Sequence, residues 1–159
     1  MYRAALLVLS DRAASGERPD ETIPIMKAKL GASYDIVRER VMPDDPAQLQ
    51  AELIEIADAG VADLILTTGG TGLSPRDRTP QATAAILDYE VPGIAEAIRA
   101  SSIAIVRTAM LSRLLAGVRH RTLIVNLPGS PKAVGESMDA FVSVLPHAIE
   151  LLADRVNDG

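Results

Sequence analysis

Ala62-Asp63-Leu64-Ile65-Leu66-Thr67-Thr68-Gly69-Gly70-Thr71-Gly72 is the stretch on which the fold turns. Its first half, Ala62–Thr67, is a short run dominated by apolar residues with little alternation, the pattern of a strand covered on both faces. It runs straight into three glycines among four residues. Glycine permits positive φ and close approach of backbone to a ligand, and exposed N–H groups in such a loop can bind an anion. The loop is not a Walker A sequence, because no Gly-Lys-Ser/Thr follows, and it does not fit the dinucleotide fingerprint Gly-x-Gly-x-x-Gly. Taken by itself it is equally well read as a tight strand-to-helix turn.

Working outward, residues 4–9 (Ala-Ala-Leu-Leu-Val-Leu) form a second buried-type strand, and Tyr34–Val41 alternates as a third. Leu114–Val118 and Thr122–Leu127 complete the strand set. Between them the spacing predicts helices over 21–30, 47–59, about 80–89 and about 93–101, while 103–112 is ambiguous. Leu49, Leu53, Ile56 and Ala57 share one face of the clearest helix. A helical region over 131–154 carries Pro146, expected to break or kink it. Strands alternating with helices specify an α/β fold in three layers, a mostly parallel central sheet with helices on both faces. No linker, repeat or low-complexity segment divides the chain, so 1–159 reads as a single domain.

The composition narrows the function. At 48% hydrophobic the chain is built to fold, and with one Phe, three Tyr and no Trp its core must be aliphatic. The absence of Cys removes disulfides, thiolate metal sites and Cys nucleophiles. A formal net charge of −5 with few aromatics argues against nucleic-acid binding. No apolar run approaches a membrane span, and Arg3 falls too early for a signal peptide. A soluble cytoplasmic protein is the expectation. His120 and His147 lack partners at metal-ligand spacing, and no Gly-x-Ser-x-Gly elbow is present.

If the sheet is parallel, four polar loops gather at the carboxyl ends of its strands, where open α/β sheets bind ligands. They are Ser10–Asp20, Pro43–Pro46, Thr67–Asp77 and Leu127–Lys132. Ser130 with Pro131 reads as a helix N-cap and N1 pair, whose free N–H groups beside Lys132 could bind an anion. Asp77, and Asp44 or Asp45, offer hard oxygen ligands suited to Mg²⁺ near phosphate. Each is equally ordinary as turn chemistry, and Asp77 could simply pair with Arg76 or Arg78.

Read together, these motifs resemble the molybdenum-cofactor biosynthesis family that includes bacterial molybdopterin adenylyltransferases and the gephyrin G domain. The resemblance is carried by Leu9-Ser10-Asp11-Arg12 with Ser15-Gly16, Val41-Met42-Pro43-Asp44-Asp45, and the string Leu64–Pro80 (LILTTGGTGLSPRDRTP). It continues through Pro92-Gly93, Ala109-Met110-Leu111-Ser112-Arg113, Ala116-Gly117 and Leu123–Lys132 (LIVNLPGSPK). It implies Mg²⁺-dependent adenylylation of molybdopterin by ATP, with release of pyrophosphate. It also implies a homotrimer, with a hexamer as the variant, and a molybdate-insertion enzyme as acceptor of the product. Carried over by motif, Asp77 and Asp44 would act on Mg²⁺ and phosphate. Gly69, Gly70, Thr71 and Gly72 would cradle the ligands. Ser10, Asp11, Ser112, Asn126, Pro128, Gly129 and Ser130 would line the pocket, without division between pterin and nucleotide. Asp20 is a weaker candidate, and Arg78 and Gln81 depart from the family pattern. The competing expectations are a molybdopterin-binding paralogue without catalysis and a molybdate-insertion-type domain.

Overall fold

A computed structural model describes residues 1–154. Among them six strands form one sheet: β1 (Tyr2–Leu9), β2 (Tyr34–Met42), β3 (Leu64–Thr68), β4 (Tyr89–Glu90), β5 (Ala116–Arg119) and β6 (Thr122–Leu127), in spatial order β2-β1-β3-β6-β5-β4. The first four in that order are mutually parallel, and β5 and β4 run antiparallel to their neighbours. The helices are α1 (Asp11–Ala14), α2 (Thr22–Leu30), α3 (Pro46–Asp58), α4 (Thr79–Ile86), α5 (Pro92–Ile103), α6 (Pro131–Asp139) and α7 (Leu145–Leu152).

The continuous apolar runs are explained by two cores. Along β1, Ala4, Leu6 and Val8 face one core, and Ala5, Leu7 and Leu9 face the other. Leu64 and Leu66 of β3 join the first, and Ile65 joins the second. The first core is closed by Met26, Ile98, Val134, Met138 and Leu145 from α2, α5, α6 and α7. The second is closed by Leu49, Leu53, Ile56 and Ile86 from α3 and α4. Because successive side chains of a strand point to opposite faces, each central strand needs apolar residues at both parities. This is the three-layer arrangement expected from the sequence.

The chain leaves β1 for β2 on one side, then returns past β1 to β3 on the other. Its crossover helices α2 and α3 lie on opposite faces. The crevice therefore opens at the carboxyl ends of β1 and β3, the topological switch point. The strands end level there: Leu9 lies opposite Met42, and Thr68 lies opposite both Val8 and Leu127.

Several boundaries differ from expectation. The helix expected over 80–89 stops at Ile86, and Tyr89–Glu90 instead pairs antiparallel with β5. Gly117 permits this pairing, since a Cβ there would collide with the Leu87 side chain. Pro146 does not kink a continuous helix. Helix α6 ends at Asp139, a 3-10 turn covers Val142–Val144, and Pro146 lies in the first turn of α7, where a missing N–H costs nothing. The ambiguous stretch contains a 3-10 turn over Arg107–Leu111, and the Ser10–Asp20 loop holds the short helix α1.

Candidate active site

The four expected loops do meet. A cleft of about 540 Å³ is lined by Ser10, Asp20, Asp44, Gly69, Gly70, Asp77, Gly129 and Ser130, among others. A second cavity of about 250 Å³ lies on the other side of the glycine loop, walled by Thr71, Gly72, Ser112, Pro128, Arg99, Leu111 and Glu136 among others.

The glycine loop is shaped by what touches it. Gly69 (φ 91°) and Gly70 (φ 70°) occupy the left-handed region. A Cβ on Gly69 would strike the Leu9 carbonyl, and one on Gly70 would strike the Thr79 hydroxyl. Any side chain there would push the loop off the ends of β1 and α4. The Gly69 N–H donates to the Leu127 carbonyl at 3.1 Å, and the Thr79 N–H donates to the Gly70 carbonyl at 3.1 Å. Gly129 packs its Cα side against Gly69, which brings the Pro128–Ser130 turn against the loop. Ser130 caps α6, its Oγ accepting from the Ala133 N–H at 3.2 Å.

Asp44 and Asp77 face the same cleft and feel each other's charge. Burial pushes the Asp44 carboxyl up from the usual range. The backbone hydrogen bond from Asp11 opposes that rise, and the charges of Asp11 and Asp77 add to it. Asp44 Oδ2 accepts from the Asp11 N–H at 3.3 Å, while Asp11 Oδ1 accepts from the Asp44 N–H at 3.0 Å, so the ends of β1 and β2 clasp each other. Asp77 Oδ2 accepts from the Ser74 N–H at 3.2 Å and lies over Gly72. Among the described residues, Oδ1 of Asp44 and Oδ1 of Asp77 accept no hydrogen bond. Arg76 does not neutralise Asp77. It grips Asp11 through Nη2 and Nε at 2.8 and 3.2 Å. The Asp11 carboxyl is held below its usual range, first by the Asp44 amide and then by Arg76.

The expected residues thus divide by role. Ser10, Gly69, Gly70, Asp44, Asp77, Gly129 and Ser130 converge on the larger cleft, and Thr71, Gly72, Ser112 and Pro128 on the smaller. Asp11 is spoken for by Arg76 and serves to position Asp44. Asn126 is a correction: it is fully buried and presents nothing to a ligand. Its Nδ2 donates to Thr67 Oγ1 at 3.0 Å and to Thr83 Oγ1 at 3.2 Å, and its Oδ1 accepts from the Leu115 N–H at 3.3 Å. It therefore braces β3, α4 and the start of β5 beneath the loop. Asp45 is likewise an N-cap of α3, accepting from the Ala47 N–H at 2.9 Å. Asp20 caps α2 through the Thr22 and Ile23 amides at 3.1 and 2.9 Å.

Two arginines at the site were not anticipated. Arg18 is the one cationic side chain among the residues lining the larger cleft. Arg113 donates through Nε to the Gly72 carbonyl at 2.9 Å and through Nη2 to the Asp77 carbonyl at 2.5 Å. A guanidinium that binds main-chain carbonyls leaves no signature in residue spacing. Only its place in the Ala109–Arg113 string could have drawn notice.

The residues present fit a Mg²⁺ ion. Two hard, like-charged carboxylates share one cleft, each with an oxygen to spare, and Mg²⁺ characteristically takes one or two carboxylates plus phosphate and water. No group of three or more His, Asp or Glu residues suited to a metal occurs among the described residues. No nucleophilic side chain is activated here, so the arrangement is suited to positioning and charge stabilisation of a phosphate reaction.

Comparison with known proteins bears on this chemistry. Residues 5–147 match a family described as "Probable molybdopterin binding domain". The chain is 41% identical over 154 residues to an Escherichia coli K12 protein named molybdopterin adenylyltransferase, across 92% of this chain and 79% of that one. It is 47% identical to the molybdopterin biosynthesis enzyme MoaB of Thermus thermophilus, with a TM-score of 0.91 over 97% of this chain and 98% of the other. A tungsten cofactor synthesizing MoaB from Pyrococcus furiosus is 30% identical with a TM-score of 0.86, over 98% of each chain.

Proposed function

The chain belongs to the molybdopterin-binding domain family, and from that premise we infer that it is a molybdopterin adenylyltransferase acting in molybdenum cofactor biosynthesis. A terminal phosphate oxygen of molybdopterin bonds to the α-phosphorus of ATP. The bond from that phosphorus to the bridging oxygen breaks, and pyrophosphate leaves. The observation that carries the reading is the convergence of Asp44, Asp77, Gly69 and Gly70 on one cleft at the switch point, with Thr71 and Gly72 lining the cavity beside it.

Asp44 and Asp77 would hold Mg²⁺, which supplies positive charge where phosphate charge develops. The backbone N–H groups of Asp11 and Ser74 donate to those two carboxylates. The N–H groups of Gly70, Thr71 and Gly72, which have no acceptor among the described residues, would serve the anionic substrates, as such loops do. Arg18 supplies a cation at the mouth of the cleft. The whole of 1–159 would act as one molybdopterin-binding domain, and the product would pass to a molybdate-insertion enzyme. An interface between copies, which a homotrimer would need, is supported by apolar side chains left open at Ile105, Val106, Met110 and Leu111 and at Leu73, each about half exposed or more. No helix of the described residues is long and apolar enough to cross a membrane.

The deciding experiment incubates purified protein with molybdopterin, ATP and Mg²⁺ and quantifies adenylylated molybdopterin and pyrophosphate against a no-protein control. Turnover is expected. Folded protein that binds molybdopterin stoichiometrically but forms no product would reduce the chain to a binding paralogue. Light scattering is expected to give three times the chain mass; a monomer would remove the trimer.

A further inference from the structure

Beside the glycine loop stand two arginines with no carboxylate partner among the described residues. Arg99 Nη1 donates to the Ser112 and Leu114 carbonyls at 3.2 and 2.7 Å. This fixes the segment that carries Arg113. The Arg113 N–H then donates to the Thr71 carbonyl at 2.8 Å. Its side chain takes the Gly72 and Asp77 carbonyls at 2.9 and 2.5 Å. One planar fork therefore ties the entry of the 72–77 loop to its exit, a geometry the ammonium of lysine cannot reproduce.

The consequence falls on Asp77. Its carbonyl is held by Arg113, its N–H donates to the Ser74 carbonyl at 2.9 Å, and its Oδ2 accepts from the Ser74 N–H at 3.2 Å. With the main chain pinned on both sides of its Cα, the carboxylate has little freedom except about its own side-chain bonds. We propose that Arg113 is a positioning residue for adenylyl transfer, acting through the Gly72–Asp77 loop to hold the Asp77 carboxylate in the cleft. The proposal rests on the adenylyltransferase reading given above. It requires Arg113 to touch neither substrate nor metal. Misplacing a reacting group by about 1 Å can cost roughly 100-fold in rate.

The test is a four-protein cycle: wild type, Arg113→Ala, Asp77→Asn and the double variant. Each is checked for folding by thermal melting and assayed for kcat and KM. Arg113→Ala is expected to lower kcat by about 100-fold, with KM for ATP moving by less than about threefold. The double variant is expected to be no slower than Asp77→Asn alone, because one residue acts through the other. Multiplicative losses, as a general loosening of the fold would give, overturn the proposal. So does an Arg113→Ala enzyme within about threefold of wild type.

If Arg113→Ala does not fold, Arg113→Lys replaces it in the cycle, with a smaller loss expected and the same criterion. Amide hydrogen exchange gives a reading independent of turnover. Either variant should speed exchange at residues 72–79 by about tenfold or more while the β1 and β3 amides stay protected. An inactive wild type would sink the adenylyltransferase reading, and loop exchange would then judge the clamp: unchanged protection at 72–79 rejects it.

Discussion

The two ends of the central sheet carry the same kinds of side chain and use them in opposite ways. At the amino end a cavity of about 660 Å³ is lined by Arg3, Asp58, Asp63, His120 and Arg121, among others. There both carboxylates are held by arginines in place. Arg3 holds Asp63 at 2.9 Å, Arg119 holds Asp58 at 2.8 and 3.0 Å, and His120 Nε2 lies 3.0 Å from Asp58. At the carboxyl end Arg113 and Arg99 serve carbonyls, and among the described residues neither Asp44 nor Asp77 forms an ion pair; Arg76, gripping Asp11, reaches Asp44 only through its charge. The Asp11–Arg76 pair at this end removes a cation that Asp77 could have used. Cavity size does not separate the two ends. The carboxylates do: at the amino end Asp58 and Asp63 are each ion-paired within the protein, whereas at the other end Asp44 and Asp77 are in no ion pair among the described residues and, on the proposed reading, would be completed by a cation.

The comparison breaks if carboxylates at the two ends prove equivalent. Asp77→Asn and Asp44→Asn are each expected to lower kcat for adenylyl transfer by about 100-fold or more, as loss of a preorganised charge at a reacting phosphate does. Asp58→Asn should leave kcat within about twofold, because its ion pairs are exposed and remote from the cleft. Steady-state rates on the three folded variants decide this, and equal losses at both ends would show that the cleft is not where the reaction occurs.

The next largest effect concerns stability. Asn126→Ala would leave the Leu115 amide and the hydroxyls of Thr67 and Thr83 without their buried partner. The expected cost is about 2–3 kcal/mol, since buried orphans lose roughly 1–3 kcal/mol each and some relax. Arg3→Ala at the opposite end, where the ion pair is partly exposed, should cost less than about 1 kcal/mol. Denaturant melts of the two variants compare them directly. A mild Asn126→Ala phenotype would mean that the side chain does not brace the strands beneath the loop.

Much of this architecture was legible in the chain. Residues 4–9 and Leu64–Thr67 announce strands buried on both faces, and the strand ends foretell one rim of polar loops. What spacing could not supply was the partner of each polar group. Asn126 in the LIVNLPGSPK string looks like a pocket residue, but the strand's alternation and the neighbouring Thr67 and Thr83 turn it inward. Tyr89 looked like the end of a helix because the two-residue strand it forms with Glu90 has no period of its own. It is defined by Val118 and Gly117 across the ladder. Arg18 and Arg113 are charged residues in loops, where sequence gives no bias between solvent and site.

Arg18→Ala tests that last point and has a smaller expected effect. As the one cation lining the larger cleft, Arg18 should contribute a charge-assisted contact to bound phosphate. Its loss should raise KM for ATP or molybdopterin by about tenfold with kcat held, the mark of binding shared by ground and transition states. An unchanged KM for both substrates would place the 15–20 loop outside the working site.

The smallest effect has opposite sign at the two ends. Burial raises the Asp44 carboxyl above its unfolded value, so its ionisation weakens the fold. The penalty is absent below the unfolded pKa and complete once pH exceeds the folded one. Hydrogen bonding to Arg119 lowers the Asp58 carboxyl, so its contribution is present above the unfolded value and lost as pH falls through the folded one. Asn keeps an oxygen that can accept from the Asp11 amide, so Asp44→Asn removes mainly the charge. Its Tm should exceed that of wild type near neutrality and converge with it in acid. Asp58→Asn should lie below wild type near neutrality and likewise converge in acid. Calorimetric melts of both variants from about pH 3 to about pH 7 read the signs. Mg²⁺ adds the sharper contrast: ion held between Asp44 and Asp77 should raise the wild-type Tm near neutrality and leave Asp44→Asn nearly unmoved. Equal Mg²⁺ responses in the two proteins would detach the metal from Asp44, and with it the claim that this end of the sheet is left open for a cation.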